Sequence, residues 1–216
     1  MKKALLVWGG WDGHEPKQSV EAAADILNAE GFETQITDTL DSYLDSENLN
    51  SLNLIVQSWT MGEISDEQTS GLLAAIKNGV GFAGWHGGTG DSFRNSFEFQ
   101  FMVGGQFVAH PGNIIDFDVN ITKPNDRIVA GIEDFKINSE QYYMHVDPGN
   151  EVLATTTFDG RHDSIDWIKG TVMPVIWTRN YGKGKVFYCS LGHVAKELEL
   201  PQLREIIKRG MLWASK

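Results

Sequence analysis

The sequence predicts an α/β domain built on a mostly parallel sheet. Two observations carry this: strand-length apolar runs alternate with helical patterns through the first half, and those runs end in glycine-rich turns. A third fixes the scale. At 216 residues, with 41% hydrophobic and 22% charged, the chain can fill one core and is neither disordered nor fibrous. No repeat, low-complexity tract or linker divides it, so residues 1–216 read as a single domain.

Ala4 to Trp8 forms the first strand, and the following Gly9-Gly10 and the lack of a small-residue cleavage site argue against a signal peptide. Pro16 suits the first turn of a helix whose apolar stripe is Val20, Ala23, Ala24, Ile26 and Leu27, and Gly31 stops it. Phe32 to Thr37 is a short second strand, and Asp38 to Asn50 is acidic and polar. Leu52 to Val56 reads as the third strand. Ser65 and Gln68 make a capping box ahead of Leu72, Leu73 and Ile76, and Asn78-Gly79 ends that helix. Val80 to Trp85 is a fourth strand running straight into His86-Gly87-Gly88.

Beyond residue 110 the pattern changes. Ile114 to Ile121 and Glu151 to Thr157 read as strands between Pro, Gly and Asp turns, an extension of the sheet or a small antiparallel addition. Val172 to Thr178 and Lys185 to Ser190 are two strands joined at Tyr181-Gly182-Lys183-Gly184. Pro201, Leu203, Ile206, Ile207 and Met211 mark an amphipathic C-terminal helix.

A formal charge of −11 and the lack of any basic run exclude nucleic acid as a partner, and no apolar stretch reaches the ~20 residues of a membrane helix. A lone cysteine, Cys189, rules out an internal disulfide and a cysteine-based metal site, which suits the cytoplasm. Alternation places Cys189 beside Phe187 and Leu191 as a buried structural residue.

In open parallel sheets, ligands bind beyond the carboxyl ends of the strands. His14, His86 and His193 each follow a strand, and His110 lies in a loop after Gly104 to Ala109. Gly84-Trp85-His86-Gly87-Gly88 has the spacing of a nucleophile elbow, in which small flanking residues let a strained central residue project into the site. Imidazole there suits acid–base work, metal ligation or a hydrogen bond to a sugar hydroxyl, and not acyl transfer through Ser or Cys. A plain glycine turn whose histidine bonds backbone is the alternative. Asn138 to His145 offers Glu140 to orient or protonate a histidine and Tyr142 to donate to an oxygen, although paired tyrosines also serve as packing. Histidines with a carboxylate are compatible with a divalent metal ion, but no paired spacing fixes the ligands. Neither a dinucleotide fingerprint nor a P-loop is present. Trp11, Trp59 and Trp85 lie near strand ends where an indole could stack on a sugar, whereas Trp177 and Trp213 suit the core.

These segments resemble the trehalose-utilisation (ThuA-like) family. The matching stretches run in order from Gly9-Gly10 and His14, through Trp85-His86-Gly87, Gly104 to Pro111 and Ser139 to Tyr143, to Pro174-Val175-Ile176-Trp177, Tyr181 to Tyr188, Leu191-Gly192-His193 and Gly210 to Trp213. The resemblance implies a flavodoxin-like sandwich of three layers related to class I glutamine amidotransferases. Those enzymes carry cysteine at the elbow, so His86 in its place argues against glutaminase activity.

It also implies a role in metabolism of trehalose, related disaccharides or their keto forms, and groups His86, His110, Glu140 and His193 as catalytic. His14, Trp85 and Tyr142 are then expected to bind a small sugar or sugar derivative. A homo-oligomer stays open. Three rivals remain: a sugar-binding or regulatory protein with a degenerate cleft, a metal-dependent hydrolase using the histidine cluster, and an amidase or protease-like hydrolase using Cys189 with His193.

Overall fold

The structure is a computed structural model that describes residues 1–216. In chain order it contains β1 (Lys2–Gly10), α1 (Pro16–Ala29), β2 (Phe32–Thr37), α2 (Ser46–Ser51), β3 (Leu54–Thr60), α3 (Asp66–Lys77), β4 (Gly81–Trp85), α4 (Gly87–Gly90), α5 (Phe97–Val103), β5 (Gly105–Ala109) and β6 (Ile114–Ile121). There follow β7 (Phe135–Glu140), β8 (Tyr143–Val146), β9 (Glu151–Thr157), β10 (Val172–Tyr181), β11 (Gly184–Cys189) and α6 (Pro201–Ala214).

One sheet has the order β2-β1-β3-β4-β11-β10-β9-β6-β7. Its first five strands are parallel, and the rest continue it antiparallel. A separate antiparallel pair, β5 with β8, forms the small addition.

The alternation of β1 explains the layers. Ala4 and Leu6 face α1 and α6, packing with Ala23, Leu27, Ile206, Ile207 and Met211. Leu5 and Val7 face the opposite layer, with Leu72, Leu73 and Ile76 of α3. Both faces are therefore apolar, as parallel strands require, and each fully buried Leu or Ile contributes about 1.5–3 kcal/mol. Gly210 lets α6 settle on the sheet, since a Cβ there would enter the Phe187 ring. Ser65 and Gln68 form the expected capping box, each side chain bonded to the other's backbone N–H.

Three segments differ from the sequence expectation in ways that bear on the site. Asp38 to Asn50 contains a 3-10 turn at Leu40–Leu44 and α2, anchored by buried Leu40, Tyr43 and Leu49. The third strand runs beyond Val56 through Gln57 to Thr60. Gln57 is buried because Tyr43 Oη donates to its Oε1 at 2.9 Å and its Nε2 donates to Ser92 Oγ at 3.1 Å. Trp85, expected near a ligand, is instead 1% exposed within the core formed with α1 and α6. Its strand is buried throughout, so standing last before the turn gives its indole no route to the cleft. No helix is long and apolar enough to cross a membrane.

Candidate functional site

Four imidazoles from separate segments meet at one carboxylate at the carboxyl edge of the parallel strands. Glu140 ends β7, and its Oε2 lies 3.0 Å from His86 Nε2, 3.4 Å from His193 Nδ1 and 3.9 Å from His14 Nε2; His110 Nε2 is 3.8 Å from the other oxygen, Oε1. The structure thus brings His14, His86, His110, Glu140 and His193 together.

Each is held by a local device. β4 stops at Trp85 and α4 starts at Gly87, so His86 is the hinge, with φ 45° and ψ −145°. A residue with a Cβ is disfavoured in that conformation by about 1–3 kcal/mol, as at a strained elbow. The flanking glycines permit it: a Cβ on Gly84 would strike Thr89, and one on Gly88 would strike Ser58. The backbone carbonyl of His86 accepts from Gly90 N–H at 2.8 Å and from Tyr188 Oη at 3.1 Å.

His14 closes a 3-10 turn after β1, and its Nδ1 is 2.8 Å from Thr60 Oγ1 at the end of β3. Glu140 is placed by the corner after β7, where Gln141 Nε2 donates to Thr156 Oγ1 at 2.7 Å. His193 hangs on a loop that Glu197 gathers: its Oε2 accepts from Gly192 N–H, His193 N–H and Ser139 Oγ at 3.0–3.1 Å. Glu197 therefore ties the His193 loop to the residue beside Glu140.

Thr60 and Glu197 are the supporting residues that the sequence reading missed. Thr60 had a signal, because it ends a parallel strand at the same edge; Glu197 had none.

Tyr142 is buried with its ring stacked on His86, centroids 4.1 Å apart, so it forms a wall of the cluster. His110 is the most open imidazole of the cluster, its side chain 33% exposed and stacked on Phe107. Trp11, 49% exposed and edge-on to His14 at 4.8 Å, presents the indole at the mouth that Trp85 does not.

Burial opposes the charge on Glu140, yet the hydrogen bonds and fields of His193 and His86 outweigh it and hold the carboxyl well below its ordinary range. His193 is raised, first by its hydrogen bond to Glu140 and against its burial. His14 is lowered to about 3 by burial and then by the neighbouring His86 and His193, which keeps it neutral. The cluster thus combines an ionised carboxylate, a proton-holding imidazole and a neutral one. It suits proton transfer, and it presents four metal-competent donors.

Cys189 is fully buried in the α1/α6 core, and burial pushes its thiol up to about 12. A thiol reagent is expected to leave the native protein unlabelled and to react once it is unfolded. Stoichiometric labelling of the native form would restore the Cys189–His193 hydrolase reading.

The sequence profile of the ThuA family, described as trehalose utilisation, matches residues 3–214. Among solved structures, a ThuA-like protein from Bacteroides uniformis ATCC 8492 superposes with a TM-score of 0.80 at 17% identity, over 99% of this chain and 91% of its own. One from Parabacteroides merdae ATCC 43184 gives 0.78 at 18% identity, over 99% and 89%. A cytoplasmic protein from Salmonella typhimurium LT2 gives 0.71 at 12% identity, over 99% and 100%. At such identities these likenesses establish the fold alone. No curated protein matches the sequence.

Proposed function

The chain belongs to the ThuA, or trehalose-utilisation, family, and from that premise we propose that it is a carbohydrate-processing enzyme doing acid–base chemistry on a small disaccharide or its keto form. One observation carries the reading: a buried, ionised Glu140 with four imidazoles within 3.0 to 3.9 Å of its oxygens, beside the partly exposed His110 and the exposed Trp11. A packing role accounts poorly for four imidazoles around one buried carboxylate, whereas catalysis needs proton carriers of matched pKa in one place.

Roles follow from exposure and charge. His110 is open enough to exchange a proton with a hydroxyl or with carbon beside a carbonyl. His193, whose proton Glu140 stabilises, donates to a sugar oxygen on which negative charge develops. His86 is fully buried and orients Glu140. The exposed Trp11 indole offers a stacking face for a pyranose ring. The lone reduced cysteine and the likeness to a cytoplasmic Salmonella protein support a cytoplasmic setting.

The test is a panel of disaccharides, trehalose included, with their keto derivatives, followed by product analysis. Conversion of at least one is expected, with loss of turnover in His110→Ala. Saturable binding without any product would instead favour a sugar-binding or regulatory protein.

A further inference from the structure

We infer that His86 Nε2, His193 Nδ1, Glu140 Oε2 and His14 Nε2 form a binding site for one divalent transition-metal ion of the zinc class. The inference deepens the enzymatic reading and rests on it only for what the ion does, because the coordination argument is geometric.

His86 Nδ1 is 2.9 Å from the Ser190 carbonyl, which can only accept, so Nδ1 carries the hydrogen. With Nδ1 so committed, removal of the Nε2 hydrogen that bonds Glu140 would leave a lone pair pointing at Oε2, 3.0 Å away. His193 Nδ1 closes the triangle, 3.3 Å from His86 Nε2 and 3.4 Å from Glu140 Oε2. Without the proton that His193 shares with Glu140, three lone-pair atoms meet at one point, and a cation between them would balance them.

The spacing suits a metal. Ligand atoms on a tetrahedral ion with bonds of about 2.0–2.1 Å stand about 3.3–3.4 Å apart, and the triangle's edges are 3.0, 3.3 and 3.4 Å. His14 Nε2 supplies the fourth donor at 3.9 Å from Oε2, and all four ligand atoms lie within 4.8 Å of one another.

The outer layer is also that of a metal site. Ligating imidazoles commonly give their second N–H to a carbonyl or another acceptor, which fixes the ring and its tautomer. His86 does so to Ser190 O, and His14 Nδ1 meets Thr60 Oγ1 at 2.8 Å. Three imidazoles and one carboxylate select ions such as Zn²⁺ and Co²⁺ over Mg²⁺ and Ca²⁺, which take oxygen ligands. The ion would displace the proton shared by His193 and Glu140 and, with four protein donors already on it, would polarise a sugar oxygen only by taking it as a fifth ligand, leaving His110 free for proton transfer.

The experiment is equilibrium dialysis of the chelator-stripped full chain against Zn²⁺ or Co²⁺, with metal analysis and visible absorption of the Co²⁺ form. One equivalent per chain is expected, with the intense d–d bands of low-coordinate cobalt. Thr60→Val, which leaves every ligand in place, should weaken binding about 10–100-fold, and Glu140→Gln by more than that. His145→Ala, outside the cluster, should bind as wild type does.

Substoichiometric metal, or equal affinity in wild type and Glu140→Gln, would overturn the assignment. Protein that converts a sugar while binding no metal overturns the metal site alone. Protein that binds one equivalent yet converts no sugar in the panel overturns the enzymatic reading alone.

Discussion

Glu140→Gln is expected to lower kcat/KM about 10³-fold, the middle of the range that a positioned acid–base system contributes. The substitution keeps shape and removes charge from the one group that every histidine of the site addresses. It also carries a signature in stability against pH that a merely structural glutamate would not. The folded carboxyl lies below its unfolded value of 4.5, so its contribution is present above that pH and is lost as pH falls towards the folded value. His193 shifts the other way: its folded value lies above 6.5, so its contribution is full below 6.5 and is lost as pH rises through the folded value.

The two windows overlap between about pH 4.5 and 6.5, where the pair is ionised on both sides. Chelator-treated wild type should there exceed Glu140→Gln by about 2 kcal/mol, the scale of a hydrogen bond to a charged group, and the margin should shrink as pH falls to 3 and as it rises through the folded value of His193. Denaturant titrations across this range measure it. A margin that does not change with pH, or turnover that survives the substitution, would remove Glu140 from the centre of the site.

Much of this arrangement was legible because it obeys local rules. The elbow spacing around His86 requires glycines where a Cβ would collide, and the structure puts those collisions at Thr89 and Ser58. The capping box before α3 and the alternation of β1 are likewise decided within a few residues.

What the sequence concealed depends on distant partners. β7 alternates exposed Lys136 and Asn138 with buried Ile137 and Ser139, and it is a strand because β6 pairs with it across a long connection. Polar Gln57 does not look like sheet interior until Tyr43 and Ser92 satisfy it, and only that extension of β3 delivers Thr60 to His14. Trp85 was misjudged because a strand apolar on both faces carries no alternation to say which side chain meets the cleft. Glu197 gathers three donors contributed by two segments, a role that its neighbours in sequence do not foretell.

The second large effect concerns His86, where two truncations should part company. Both His86→Ala and His86→Gly remove the ring that contacts Glu140, Ser190 and Tyr142, so both should lose about 10³-fold or more in turnover. Both also empty the same buried space beside Tyr142. They differ in the backbone, which at φ 45° and ψ −145° disfavours any residue with a Cβ.

Alanine keeps that strain and glycine relieves it, so His86→Gly is expected to be more stable than His86→Ala by about 1–3 kcal/mol. In an ordinary strand or helix the order is reversed, because glycine gives up more chain entropy on folding. The inversion therefore reports strain held at the elbow independently of any substrate, and thermal or denaturant unfolding reads it directly. If alanine proves as stable as glycine, the turn is relaxed, and His86 is then a residue the fold tolerates there and not one held against its backbone preference to face Glu140.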